Sequence, residues 1–142
     1  MDIAVLDIGG TAVKYGLYHR GALCRRGQID TLGERGAADV LQRAGDALEK
    51  LGSFDAIGVS TRGQITREGV VYFDTEDIRS WSKTPVTELL QARFSIPVAT
   101  ENDVNCMVWP VTVANFAAVA SAKRFGLVSG VPGSVGSSAG SR

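Results

Sequence analysis

Histidine and cysteine are nearly absent from this 142-residue chain, which has one of the former, His19, and two of the latter, Cys24 and Cys106. Two thiols far apart, in no paired-ligand spacing, give neither a disulfide framework nor a zinc cluster, and they fit a reducing cytoplasm. His19, beside a turn signal, reads as a solvated side chain. Net charge is lacking as well: 15 lysines and arginines meet 15 acids, so no bulk field exists to hold a phosphate backbone, and nucleic acid is not an expected partner. Long hydrophobic runs are also missing. Pro110, Thr112 and Asn115 break the apolar stretch from Met107 to Ala122 below the roughly 18 uncharged apolar residues a membrane span needs, so no membrane partner is expected. At the amino end, Met1-Asp2-Ile3 puts an acid where an export signal places basic residues. Aromatic residues make up only 7%, and Trp81 and Trp109 read as core or interface anchors because no basic stripe accompanies them. What remains is ordinary globular composition, 44% apolar and 21% charged, for a soluble cytoplasmic chain long enough to build one core.

The acids are unevenly spread. All 15 lie at or before Asp103, and the 39 residues after it carry only Lys123, Arg124 and Arg142 as charged groups. Nine of the fourteen residues from Ser129 to Arg142 are Ser or Gly, without a helical or strand period, so 129–142 is expected to be a flexible tail. Residues 107–128 are expected to form a divergent, partly helical segment.

Within the first part, Ile3-Ala4-Val5-Leu6 is apolar at every position, as a strand covered on both faces would be, and it runs into Asp7-Ile8-Gly9-Gly10-Thr11. From Ala12 to Tyr18, Val13, Tyr15 and Leu17 alternate along a second strand, which makes strand, glycine turn and strand a hairpin. A third strand follows at Ala22 to Asp30. Val40, Leu41, Ala44, Leu48 and Leu51 recur at helical steps up to Gly52. Ala56 to Ser60 is a short buried strand leading to the polar loop Thr61-Arg62-Gly63-Gln64. Thr84-Pro85 has the cap-then-proline order of a helix start, with Leu89, Leu90 and Phe94 expected on the buried face. Val98-Ala99-Thr100 is a strand that delivers Glu101-Asn102-Asp103 to its end, and Val104 to Trp109 begins a further helix. The pattern predicts an α/β layer with a mixed sheet flanked by helices.

Three segments have the residue types for chemistry. Glycines at Gly9 and Gly10 let successive amides approach one anion, with the Thr11 hydroxyl and the Lys14 ammonium in reach of phosphate oxygens and Asp7 placed to hold Mg²⁺ through water. The same residues also read as a plain hairpin turn. Asn102-Asp103 pairs an amide that both donates and accepts with a carboxylate able to take a proton from a sugar hydroxyl, or else forms a helix cap. The loop around Gly63 is polar and follows a buried strand, a common place for ligand contacts and equally for a bland connection.

In order along the chain, Asp7-Ile8-Gly9-Gly10-Thr11 with Lys14, Gly58 to Gln64, and Ile96-Pro97-Val98 leading to Glu101-Asn102-Asp103-Val104-Asn105-Cys106 resemble the ROK family of sugar kinases and repressors. The resemblance covers residues 1–106 and implies the N-terminal lobe of the actin-like ATPase, or ribonuclease-H-like, fold, in which two lobes close over ATP and a hexose. It implies Asp7, Gly9, Gly10, Thr11 and Lys14 at the first phosphate motif with ATP and Mg²⁺, Asp103 as catalytic base, and Asn102, Asp103 and Gly63 toward a hexose or amino sugar. Arg62 is bulkier than the small residue often found at its position, which would alter substrate fit.

The family's second lobe, with its structural zinc site, has no counterpart motif after Cys106. The expectation is therefore the N-terminal half of an ATP-dependent sugar 6-kinase, inactive alone and prone to self-association through its exposed lobe face. The alternatives are a truncated or frameshifted fragment or weak sugar-binding module without transfer, and a sugar-responsive transcriptional regulator lacking its DNA-binding domain. The first strand starts at Ile3, which leaves no DNA-reading module ahead of it and favours the kinase branch.

Overall fold

A computed structural model of the chain describes residues 1–74 and 77–102. Strand β1 (Ile3–Ile8) is buried at all but one position, which is why its sequence shows no apolar and polar alternation. It pairs antiparallel with β2 (Ala12–His19), and β2 pairs antiparallel with β3 (Ala22–Asp30), the more exposed strand at one end of the sheet. A short 3-10 turn at Gly33–Arg35 leads into helix α1 (Ala37–Glu49), whose Val40, Leu41, Ala44 and Leu48 are buried. Strand β4 (Ala56–Thr61) lies parallel to β1. Next come a small antiparallel ribbon, β5 (Gln64–Ile65) with β6 (Val71–Phe73), then helix α2 (Val86–Phe94) and strand β7 (Val98–Asn102), which is parallel to β4.

The sheet order is β3-β2-β1-β4-β7, a mixed α/β layer as expected. Inward residues of α1 and α2 share one core with Ala4, Leu6 and Ile8 of β1, Ile57 and Val59 of β4 and Val98 of β7, so both helices lie on the same face of the sheet. No helix among the described residues is long and apolar enough to cross a membrane.

Several expectations need correction. Leu89 is 44% exposed, whereas Val86 and Leu90 are buried. One residue step turns a helix by about 100°, so the neighbour of an inward Leu90 faces out. Thr84 does not cap α2: Pro85 holds that position without a side-chain bond, and the Thr84 hydroxyl donates to the Ser80 carbonyl at 3.0 Å. The loop after β4 is shorter than the four residues expected. Thr61 completes β4 and Gln64 pairs with Phe73 in the ribbon, which leaves Arg62 and Gly63 as the connection. His19 is at the surface but not simply solvated, since its Nδ1 lies 2.6 Å from Asp2 Oδ1. Trp81 is the core anchor expected of it, buried with its indole N–H donating to the Thr61 hydroxyl at 3.1 Å. Cys106, Trp109, the helix from Val104 and the segments 107–128 and 129–142 lie outside the described residues.

Candidate functional site

β1, β4 and β7 run parallel and end level with one another: Ile8 is in register with Thr61, and Thr61 with Asn102. The segments leaving three adjacent strand ends therefore emerge side by side on one edge, the carboxyl edge where parallel sheets receive ligands. One residue earlier, on the opposite face, Lys14 of β2 stands across from Asp7, Asp7 beside Ser60, and Ser60 beside Glu101. The buried Ser60 hydroxyl donates to Asp7 Oδ1 at 3.3 Å.

The turn between β1 and β2 is tight. The Gly9 amide donates to the Ala12 carbonyl at 3.0 Å, which leaves Gly10 and Thr11 as the two corner residues, with Thr11 exposed. Two carbonyls of this turn are held by one buried residue: the Thr31 hydroxyl donates to the Gly9 carbonyl at 2.7 Å, and the Thr31 amide to the Thr11 carbonyl at 2.9 Å. Carbonyl oxygens repel an anion, so engaging them on the Thr31 side suits the turn to a phosphate. Neither glycine is in the left-handed region. Gly10 is closely approached by side chains, since a Cβ there would lie 3.0 Å from both Arg62 Nη1 and Asp77 Oδ2. A glycine corner with Thr11 exposed and Lys14 on the neighbouring strand is a donor set chemically suited to phosphate. Among the described residues no group of three or more His, Cys, Asp or Glu could enclose a metal ion.

Gly63 has φ of +92°, and a Cβ on it would come within 2.7 Å of the Phe73 carbonyl, so a glycine is required. Its own carbonyl accepts a hydrogen bond from the Asn102 side-chain amide. Two of the residues expected at the sugar are thereby in direct contact, while the third, Asp103, lies outside the described residues. Arg62, expected to alter the sugar fit, extends toward the glycine turn instead. Its Nε donates to Asp74 Oδ1 at 2.9 Å and its Nη1 lies 2.5 Å from Asp77 Oδ2.

Sequence reasoning missed Thr31, Asp74 and Asp77. Ser60 stood within the segment Gly58 to Gln64 that the sequence singled out, and it lies inside β4. The two acids carry no local signal, because only the folded ribbon sets them opposite Arg62.

The profile of the ROK family matches residues 3–124. An uncharacterised protein of Clostridium perfringens is 32% identical over 108 residues, a stretch covering 72% of this chain and 37% of that protein. The N-acetylmannosamine kinase of Vibrio cholerae is 31% identical over 113 residues, 77% of this chain and 38% of the kinase. Among solved structures, the ROK hexokinase of Thermus thermophilus superimposes with a TM-score of 0.67 at 28% identity, over 75% of this chain and 36% of the hexokinase. The chain spans a little over a third of the length of the relatives it matches. Its α/β sheet has the actin-like ATPase fold of these kinases. By a profile match that runs over most of its length, from residue 3 to residue 124, the chain belongs to the ROK family.

Proposed function

We propose that the chain supplies the phosphate turn and part of the sugar site of an ATP-dependent kinase that phosphorylates the 6-hydroxyl of a hexose or amino sugar in the cytoplasm. The single observation that carries this reading is the common level of Ile8, Thr61 and Asn102, which sets the glycine turn beside the Gly63 loop and the Asn102 amide. In this reading residues 1–106 are one lobe. When bound, ATP supplies the phosphoryl group and Mg²⁺ offsets charge on its oxygens. The amides of Gly10 and Thr11, the Thr11 hydroxyl and Lys14 would hold the phosphates, with the Gly9 amide closing the turn on the Ala12 carbonyl, and Asp7 would hold Mg²⁺ through water. Gly63 and Asn102 orient the sugar, and Asp103 takes the proton from its attacking hydroxyl. The names of the Vibrio and Thermus relatives support an amino sugar or hexose as the class.

Weak sugar binding without transfer is the second reading, favoured by the Gly63 to Asn102 contact, which forms without any phosphate group. Calorimetric titration with N-acetylmannosamine, N-acetylglucosamine, glucose and mannose tests what both readings share. Binding of at least one sugar is expected, weakened about tenfold by Asn102→Ala through loss of a polar contact. Equal affinities of the two proteins across the panel would remove Asn102 and its loop from the site.

A further inference from the structure

Arg62 is rooted more firmly than a loop arginine needs to be. The preceding Thr61 is buried and bonded to the Trp81 indole, and the Arg62 amide donates to the Ile8 carbonyl at 3.4 Å, next to the glycine turn. Two carboxylates share its guanidinium, and they differ in kind. The side chain of Asp74, on Nε at 2.9 Å, is 1% exposed, whereas that of Asp77, on Nη1 at 2.5 Å, is 52% exposed. Asp74 cannot withdraw into water and so fixes the direction in which the guanidinium points. Asp77 can withdraw at small cost, because an exposed ion pair is weak. The Nη1 end and the Asp77 carboxylate both rest on Gly10, each 3.0 Å from the place of a Cβ there. An anion therefore already sits where the turn and a cation converge, and that anion is part of the chain.

We propose that Arg62 is a phosphate-contacting residue of the nucleotide site and that the Asp77 carboxylate is a built-in competitor occupying its place on Arg62 and Gly10. The inference rests on the phosphate role of the Gly9 to Thr11 turn proposed above. A guanidinium presents parallel N–H donors that suit a carboxylate or a phosphate equally, so exchange of one for the other keeps the hydrogen bonding of Nη1 intact. With Asp74 and Asp77 both engaged, two carboxylates share one guanidinium. With Asp77 turned to water, Arg62 and Asp74 balance, and a polyphosphate approaching Gly10 meets a donor instead of a carboxylate. Nucleotide and Asp77 thus exclude each other at one nitrogen. The backbone beside Asp77 holds its place in either state, since the Arg79 amide donates to the Gly33 carbonyl at 2.9 Å.

The test is equilibrium titration of the whole chain with inorganic tripolyphosphate, without added divalent cation, followed by calorimetry and amide chemical shifts. Asp77→Asn, at a half-exposed side chain, is expected to bind about threefold more tightly than the native chain. Arg62→Gln, with its fold checked by circular dichroism, is expected to bind about tenfold more weakly. In the double variant the gain from Asp77→Asn should shrink to less than half, because the carboxylate no longer has Arg62 to compete for. An Asp77→Asn chain that binds no tighter than the native one overturns the proposal by itself. An equal gain with and without Arg62 overturns it too, since that would be general charge repulsion. Lys14→Ala reports separately on the turn. If it weakens binding while the Arg62 and Asp77 variants match the native chain, only this inference fails. If it changes nothing while they behave as expected, the assignment of Lys14 fails and that of Arg62 beside the turn stands.

Discussion

Thr31 follows directly on the last residue of β3 and carries no charge, yet it ties down two carbonyls of the glycine turn. Arg43 of α1 in turn donates to the Thr31 carbonyl and, at 2.7 Å, to the Asp30 carbonyl, so the turn is braced from the helix. Thr31→Val keeps the shape and removes one buried hydroxyl bond, which should lower stability by about 1 kcal/mol. The turn would loosen with it, and tripolyphosphate should bind more weakly. Urea denaturation read alongside the phosphate titration checks both, and a variant identical to the native chain in each would show that Thr31 only fills space. Gly9, Gly10 and Lys14 were legible as a candidate site because the turn and its cation are neighbours in sequence. Thr31 was not, since a threonine after a strand is common and only the β2 to β3 register sets it behind the turn.

At the scale of elements, legibility follows length. α1 has thirteen residues and buries seven of them, so its apolar spacing was plain in the sequence. α2 has nine residues with only Val86, Thr87 and Leu90 buried, and its inward face was correspondingly misjudged at Leu89. β5 and β6 are two and three residues long, too short for any period, and the ribbon that brings Asp74 and Asp77 toward Arg62 was invisible. The two helices are joined across their outer sides by Arg93, which donates to Asp46 Oδ1 at 2.7 Å and Glu49 Oε2 at 2.9 Å. The bond to Asp46 holds the guanidinium above its ordinary pKa, against a smaller opposing effect of burial. These exposed pairs add little to stability. The weight of α1 rests on its buried face: Leu48→Ala, at a fully buried position, should cost about 3 kcal/mol. Thermal and urea unfolding measure that loss, and a cost below that of the surface change Arg93→Ala would show that α1 is poorly docked.

For the molecule as a whole, the mixed sheet was legible from the sequence of elements, because a hairpin followed by strands alternating with helices calls for both antiparallel and parallel pairs, whereas the strand order came only from the structure. The charge break after Asp103 was legible too, although the family match runs past Cys106 to residue 124. Phosphoryl transfer is accelerated by positioning and by fixed charge in a site that excludes water. Taken by themselves, these 142 residues, which match a little over a third of their relatives' length, are expected to hold ligands loosely and to transfer nothing. A coupled assay with ATP, Mg²⁺ and the four sugars should therefore show no sugar-dependent ADP release. Steady release abolished by Asp103→Asn would establish instead that these 142 residues assemble a working site.

The level strand ends impose a rule about where length can change. Adding one residue inside β4 would swap the faces of Ser60 and Thr61, carrying the serine off Asp7 and the arginine root off the indole that steadies it. The same insertion between Asp74 and Asp77 would leave the register of all three strands untouched and change how far the competing carboxylate reaches. Tuning of nucleotide affinity can thus proceed by lengthening or shortening that connection, while the strands stay fixed as a common ruler.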